Sequence, residues 1–113
     1  KQTVHEKWDI NTGILSGDAM LILAYQFFEA YDAETFKKLA KLFSKTALEV
    51  CEGQQYDVDF ETRNNVTIPE YITMITYKTA VLLGGALKMG AYVAGANEKD
   101  AQALYDFGLN LGI

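Results

Sequence analysis

Residues 33–60 read AETFKKLAKLFSKTALEVCEGQQYDVDF, and this stretch decides the fold. Apolar residues recur in it every three or four positions, which is the spacing of one face of an α-helix. Asp32, directly before the stretch, is a favourable helix N-cap. We therefore predict a helix over Ala33–Phe60. Its apolar stripe is predicted to face a core and consists of Phe36, Leu39, Ala40, Phe43, Ala47, Val50 and Cys51. The charged residues off that stripe are predicted to face water, and they are Lys37, Lys38, Lys41, Lys45 and Glu49.

Further helical segments lie on both sides of this stretch. Upstream, we predict an irregular segment over residues 1–13, with a turn at residues 11–13, and then a helix over Ile14–Tyr31. That helix is apolar nearly all round between Ala19 and Phe28, so both of its faces are expected to be covered.

Downstream, a polar loop precedes Thr67-Ile68-Pro69-Glu70, which matches a capping box with Pro in the first helical turn. The helix that follows is predicted to run over Ile68–Ala94. Gly84 and Gly85 in its middle either weaken it or allow a neighbour to approach closely. Asn97 is expected to cap a last helix, from Glu98 to the end. The predicted class is all-α, with long antiparallel helices, in one partial domain over residues 1–113.

The composition excludes several classes of protein. The chain has 113 residues, 50% of them hydrophobic, so it can bury a core. Its net charge of −5 disfavours general nucleic-acid binding. One Cys and one His exclude an intrachain disulfide and a zinc site of the usual kind. Its longest uncharged stretch is too short to span a bilayer, which takes about 20 residues.

Polar side chains interrupt the apolar stripe of the Ala33–Phe60 helix near its end. Continuing the stripe past Val50 reaches Gln54 and then Asp57, which are three residues apart and share a helix face. These two side chains either line the polar end of a cavity, or the helix has left the core and both face water. The pattern alone leaves both alternatives open.

A single charged residue lies within an otherwise uncharged part of the Ile68–Ala94 helix. Between Tyr71 and Leu87 that residue is Lys78, followed by Thr79. A buried ammonium requires an anion, supplied by a carboxylate of another helix or by a phosphate of a ligand. The alternative is that Lys78 extends its stem to reach solvent. His5 stands alone in the N-terminal segment, and as an isolated histidine it favours structural hydrogen bonding.

Five segments, in this order, resemble the trans-prenyl diphosphate synthases, or polyprenyl synthetase family. They are KQTVH at residues 1–5, ILSGDA at 14–19, GQQYD at 53–57, YITMITYKTAVL at 71–82 and GLNLGI at 108–113. The third resembles the family's Gly-Gln-x-x-Asp motif and the fourth its Lys-Thr helix. Gly-Gln-x-x-Asp alone is weak, but these segments together are specific and cover essentially the whole chain.

The departures from the family pattern concern its metal sites. The family binds magnesium through two Asp-rich motifs, and neither occurs here; Asp57-Val58-Asp59 is not one. The paired arginines are also missing, and Gln2 stands where the family usually has Pro. The resemblance therefore implies an internal fragment of a helical isoprenoid-synthase bundle, whose magnesium ligands lie outside this chain.

What the resemblance implies about function is specific. An allylic diphosphate ionises, isopentenyl diphosphate attacks the allylic cation, and a proton is lost. Lys78 would contact the allylic diphosphate, and Thr79 would face the developing cation, as the catalytic and substrate-binding pair. Gln54, Asp57 and His5 complete the substrate-binding residues that the resemblance implies.

The resemblance also implies a homodimer in the cytoplasm, with the first two long helices as the dimer face. We expect the 113-residue chain to be inactive by itself. Two alternatives stay open: a non-catalytic interaction module or regulatory subunit of the same fold, and a terpene cyclase on the same scaffold.

Overall fold

The computed structural model describes residues 3–113, except for the side chain of His5, and every regular element in this part of the chain is helical. The elements are α1 (Val4–Lys7), α2 (Ile10–Phe28), α3 (Ala33–Phe60), α4 (Ile68–Ile75), a π-helical turn (Thr76–Ala80), α5 (Val81–Val93) and α6 (Glu98–Leu111). The all-α prediction is confirmed. None of the described helices combines the length and the hydropathy needed to cross a membrane.

Two helix starts follow the chemistry of their caps. Asp32 Oδ1 accepts a hydrogen bond from the Thr35 amide at 2.7 Å, ahead of α3. Asn97 Oδ1 accepts one from the Asp100 amide at 2.8 Å, at the start of α6. Each side chain satisfies an amide that the first helical turn would otherwise leave without a partner. The predicted starts at Ala33 and Glu98 are therefore confirmed.

The prediction for the N-terminal segment was wrong. Residues 4–7 form the short helix α1, and α2 begins at Ile10 and ends at Phe28. Asp9 explains the early start, because its Oδ1 accepts a hydrogen bond from the Thr12 amide at 2.6 Å. Residues 11–13, predicted to form a turn, are thus in the first turn of a capped helix.

The chain forms two compact units, residues 1–36 and residues 37–113. In the first unit, α1 contacts α2. The apolar stretch of α2 is not covered within the described part of the chain: five of its side chains are 47–69% exposed, and they are Met20, Leu21, Ile22, Leu23 and Phe27. The prediction of a single domain over residues 1–113 stays a prediction.

Three antiparallel helical segments build the second unit. Gly53 of α3 meets Lys78, and Thr46 of α3 meets Gly85. Residue numbers therefore decrease along α3 as they increase along the opposite segment, so the two run antiparallel. Along α5 and α6, Gly84 meets Tyr105, and Tyr92 meets Glu98. The predicted antiparallel arrangement is confirmed here.

Gly84 and Gly85 allow close helix contact. A Cβ on Gly84 would lie 2.9 Å from the Tyr105 carbonyl oxygen, and one on Gly108 would lie 2.8 Å from the Gly84 Cα. A Cβ on Gly85 would lie 3.0 Å from Thr46 Oγ1. Of the two predicted roles for this glycine pair, the structure shows close approach by neighbours on both sides.

The buried face of α3 differs from the predicted stripe. The buried residues are Leu39, Leu42, Thr46 and Gly53, and of these only Leu39 was predicted. Glu49 was predicted to face water, yet its Oε1 is buried and has no hydrogen-bond partner within the described residues. The reason is that the opposite helical segment contacts α3 at Thr46 and Gly53, which lie to one side of the apolar stripe.

Candidate active site

Lys78 is carried by a π-helical turn between two α-helical segments. Upstream of it, α4 begins with the predicted capping box: the Glu70 amide donates to Thr67 Oγ1 at 3.2 Å, and the Thr67 amide donates to Glu70 Oε1 at 3.2 Å. The turn Thr76–Ala80 then interrupts the predicted continuous helix. Single π-helical turns within α-helices occur frequently at functional sites.

Gly53 of α3 packs directly against this turn. A Cβ at Gly53 would lie 2.4 Å from the Lys78 backbone nitrogen and 2.7 Å from the Tyr77 carbonyl carbon. On the α6 side, a Cβ at Gly112 would lie 2.7 Å from the Ala80 Cα. Gly53 of α3 and Gly112, the residue after α6, therefore let backbone approach the middle and the last residue of the π-helical turn. The Gly53 contact fixes the position of the Lys78 backbone.

The side chain of Lys78 is paired with the carboxylate of Asp57. Lys78 Nζ donates to Asp57 Oδ2 at 2.6 Å, and the two side chains are 33% and 36% exposed. This is a charge-assisted hydrogen bond across 21 residues of sequence, between α3 and the π-helical turn. Of the anions considered for Lys78, the structure supplies a carboxylate from another helix. An ammonium has three donors, so two remain for a ligand.

Two other predicted side chains lie on the same elements as this ion pair. Gln54 and Thr79 follow Gly53 and Lys78 in the sequence, and both are exposed. The aromatic ring of Tyr77 stacks on that of Tyr56, with 6.3 Å between their centroids. This stack joins the π-helical turn to α3 a second time, one residue before the ion pair on each helix.

An apolar groove runs along α3 and α5 in the same unit. Its volume is about 390 Å³, and it is lined by Phe43, Thr46, Ala47, Val50, Leu82, Gly85, Ala86 and Met89. Val50 lies one helical turn before Gln54, and Leu82 lies one turn after Lys78. Phe43, Ala47 and Val50 belong to the predicted stripe, so much of that stripe lines a groove instead of being buried.

The described residues do not by themselves form a metal site. They contain no group of three or more His, Cys, Asp or Glu side chains that could hold a metal ion. One carboxylate oxygen of Asp57 is already paired with the Lys78 ammonium. The fit of these residues to a magnesium ion is therefore poor.

Comparison with known proteins identifies the family of the chain. The family model described as Polyprenyl synthetase matches residues 1–113. The chain belongs to the polyprenyl synthetase family. The resemblance carried by the Gly-Gln-x-x-Asp and Lys-Thr segments is thereby confirmed.

Relatives of this polyprenyl synthetase chain include prenyl diphosphate synthases of archaea. It is 41% identical to the geranylgeranyl diphosphate synthase of Methanosarcina mazei, over 97% of this chain and 35% of that protein. It is 37% identical to the geranylfarnesyl diphosphate synthase of Natronomonas pharaonis, over 96% of this chain and 33% of that protein.

Solved structures agree with these relatives. A geranylgeranyl pyrophosphate synthase matches with a TM-score of 0.95 and 64% identity, over 99% of this chain and 34% of that one. The enzyme of Geoglobus acetivorans matches with a TM-score of 0.90 and 34% identity, over 98% of this chain and 37% of that one. The polyprenyl synthetase chain thus spans about a third of the length of its relatives.

Sequence reasoning found only part of this site. It singled out Lys78 and Asp57, which the structure brings together, and Gln54 and Thr79 on the same elements. The side chain of His5 lies outside the described residues. Sequence reasoning missed Gly53 and Gly112 as contacts of the π-helical turn. The available signal was glycine inside a helix, where it costs about 1 kcal/mol relative to Ala and therefore needs a packing reason.

Proposed function

We propose that the complete protein is a prenyltransferase that condenses an allylic diphosphate with isopentenyl diphosphate into a linear polyprenyl diphosphate. The observation that carries this proposal is the ammonium of Lys78, held on a π-helical turn beside an apolar groove. Membership of the polyprenyl synthetase family supports it. The chemistry breaks the allylic carbon–oxygen bond, and the diphosphate leaves with the electron pair. The double bond of isopentenyl diphosphate then forms the new carbon–carbon bond, and a proton is lost.

Lys78 is proposed to bind the allylic diphosphate. Negative charge grows on the leaving oxygen as the bond breaks, and an ammonium already in place stabilises that charge without reorganising. The Gly53 contact and the Asp57 ion pair support this role, because both restrict where the Lys78 side chain can go. Lys78 is one of the two proposed catalytic residues, and Thr79 is the other.

Asp57 is proposed as a positioning residue, since it acts through Lys78. Thr79 is proposed to face the allylic cation, with its hydroxyl oxygen as a partial negative charge. Gln54 and His5 are proposed to contact substrate at the polar end of the cavity. The exposure of Gln54 and Thr79 supports access by a ligand.

The groove between α3 and α5 is proposed to form a wall of the chamber for the hydrocarbon tail. Its lining is apolar, apart from Thr46, and it begins one helical turn from the Lys78 pair. A ligand with an anionic head at Lys78 would extend its tail along this wall. Such a wall also keeps water from quenching a cation.

Magnesium is proposed as the cofactor on the family resemblance, with ligands outside residues 1–113. None of the roles proposed for Lys78, Asp57 or Thr79 requires a metal to contact these residues. A homodimer in the cytoplasm is proposed on the same resemblance. The exposed apolar side chains of α2 support a partner surface there.

The test is an elongation assay with labelled isopentenyl diphosphate, an allylic diphosphate and magnesium. The complete protein is expected to release a linear prenyl diphosphate, identified by mass after phosphatase treatment. The purified 113-residue chain is expected to release none. Elongation by that 113-residue chain would contradict its proposed inactivity.

A complete protein that folds but elongates no substrate would contradict the prenyltransferase proposal. That result would instead favour the alternative that the protein is a regulatory subunit of the same fold. A cyclised hydrocarbon as the product would contradict the linear product and favour a terpene cyclase.

A further inference from the structure

A second cleft in the same unit is lined mainly by lysines. It lies between α3 and the α5–α6 turn, has a volume of about 300 Å³, and is lined by Lys38, Lys41, Leu42, Lys45, Lys88, Tyr92 and Glu98. Four of the 10 lysine and arginine residues of the chain meet here. The chain as a whole has a net charge of −5, so the positive charge of this cleft is opposite in sign to the net charge of the chain.

The cleft contains one carboxylate for four ammonium groups, and that carboxylate is already engaged. Glu98 pairs with Lys88 at 3.2 Å and accepts hydrogen bonds from the Tyr92 hydroxyl at 3.1 and 2.9 Å. The Tyr92 and Lys88 contacts hold the pKa of the Glu98 carboxyl below its usual value, so it is ionised near neutral pH. Three lysines of α3 remain without a carboxylate within 4 Å among the described residues.

These three lysines share one face of α3. Lys38, Lys41 and Lys45 are three and four residues apart, so their ammonium groups repel one another along the helix. Such a face is destabilised unless an anion neutralises it. The span from Lys38 to Lys45 is about 10 Å along the axis, more than one phosphate group covers.

Aromatic rings hold two of the α3 lysines over the cleft. Lys38 Nζ lies 5.5 Å from the centroid of the Tyr92 ring, and Lys45 Nζ lies 5.8 Å from that of Tyr105. Lys88 has a side chain only 13% exposed and also donates to Gln102 at 2.7 Å. The ammonium groups are therefore partly preorganised, which lowers the entropic cost of binding an anion.

We propose that this cleft is a polyphosphate-binding site, distinct from the Lys78 site, that takes the diphosphate group of inorganic diphosphate or of a prenyl diphosphate. Lys38, Lys41 and Lys45 supply charge-assisted hydrogen bonds to different phosphate groups of one ligand. Lys88, whose side chain is mostly buried, lies at the floor, and Glu98 lies at the exposed edge. The charges of this cleft do not depend on the prenyltransferase function, so a failure of that function would leave diphosphate binding here unaffected.

The test measures how fast each lysine of the complete protein reacts with an acetylating reagent, by peptide mass spectrometry. Inorganic diphosphate is added in a metal-free buffer containing a chelator. It is expected to slow acetylation of Lys38, Lys41 and Lys45 by about fivefold or more, because a bound anion shields the amines. Lys37 and Lys99, exposed lysines outside the cleft, are expected to react at an unchanged rate. Equal slowing at all five lysines, or no slowing, would overturn the proposal.

A pair of double variants with equal loss of charge sharpens the result. In Lys41→Gln/Lys45→Gln, the diphosphate concentration that half-protects Lys38 is expected to rise about tenfold. In Lys37→Gln/Lys99→Gln, it is expected to stay within about twofold. Equal effects of the two double variants would mean general charge attraction and no site.

A second arm replaces inorganic diphosphate with a prenyl diphosphate. Half-protection at the same concentration identifies the diphosphate group alone as the ligand. Half-protection at a much lower concentration identifies the lipid-linked form. Protection by neither compound would overturn the proposal.

Discussion

Gly53 shows how one residue without a side chain determines the position of another. The backbone of Lys78 lies where the Cβ of any other residue 53 would be. The sequence predicted that Lys78 needs an anion and that Asp57 shares a face with Gln54. It could not predict that Gly53 sets the distance between the two helices, since that distance depends on contacts far apart in the sequence.

The Gly53 contact predicts a reversal of an ordinary substitution effect. In an open helix, Gly→Ala stabilises by up to about 1 kcal/mol. At Gly53 the added methyl meets backbone at 2.4 Å, and we expect Gly53→Ala to lower the free energy of unfolding by about 1–3 kcal/mol. Denaturant unfolding of the complete protein measures this change.

Gly90 is the matched control, because it is also helical and a Cβ there would meet nothing within 4 Å. We expect Gly90→Ala to leave stability unchanged or to raise it by up to about 1 kcal/mol. If Gly53→Ala proved as stable as Gly90→Ala, the close contact between α3 and the π-helical turn would be wrong.

Glu49 marks a limit of reasoning from one helix at a time. Its place off the apolar stripe predicted exposure to water, yet its Oε1 is buried. The pKa of Tyr105 is raised by burial of Tyr105 and by the charge of Glu49. Burial is the larger of these two causes. The position of α6 decides this environment, and the pattern within residues 33–60 contains no information about it.

Among the elements, local signals predicted the starts of three helices but not the interruption of one. The starts of α3, α4 and α6 follow from Asp32, Thr67 and Asn97 because a cap is a contact within four residues. The π-helical turn has no comparable local signal, since all of Thr76–Ala80 is compatible with an α-helix. Gly53 and Gly112 contact this turn in the structure, and both are distant from it in the sequence.

The start of α4 predicts a pH dependence of stability. Arg63 Nη1 pairs with Glu70 Oε2 at 2.6 Å, and this contact, with those of Thr67, lowers the pKa of Glu70 from 4.5 to about 2. A carboxyl whose pKa is lowered by folding stabilises the fold above its unfolded value and loses that contribution as the pH falls. The stabilisation is therefore present above pH 4.5 and is lost between pH 4.5 and about 2.

We expect Glu70→Gln to lower the melting temperature relative to the unsubstituted protein at pH 6, and this difference to shrink as the pH approaches 2. Thermal unfolding followed by circular dichroism across that range measures it. Glu61→Gln removes an exposed carboxylate and is the control, with a small difference at every pH. A Glu70→Gln difference that stayed constant with pH would contradict the Arg63–Glu70 contact.

At the scale of the molecule, the sequence predicted the class and the family but not the contact surfaces. Helical periodicity and caps give the all-α class, and five short segments give the family. The apolar stripe of α3 was expected to be buried, whereas Phe43, Ala47 and Val50 line an open groove. Periodicity shows which face is apolar, but only the packed helices show whether it meets protein or a ligand-sized space.

The central claim is that Lys78, held by Gly53 and Asp57, binds the diphosphate of the allylic substrate. The most direct test is the steady-state kcat/KM of the complete protein for the allylic diphosphate, at saturating isopentenyl diphosphate. We expect Lys78→Ala to lower this value at least about 10-fold, or about 1.4 kcal/mol, through loss of a charged phosphate contact. Lys99→Ala, which removes an exposed lysine from the first turn of α6, is expected to stay within about twofold. Kinetics of Lys78→Ala equal to those of Lys99→Ala would contradict the claim.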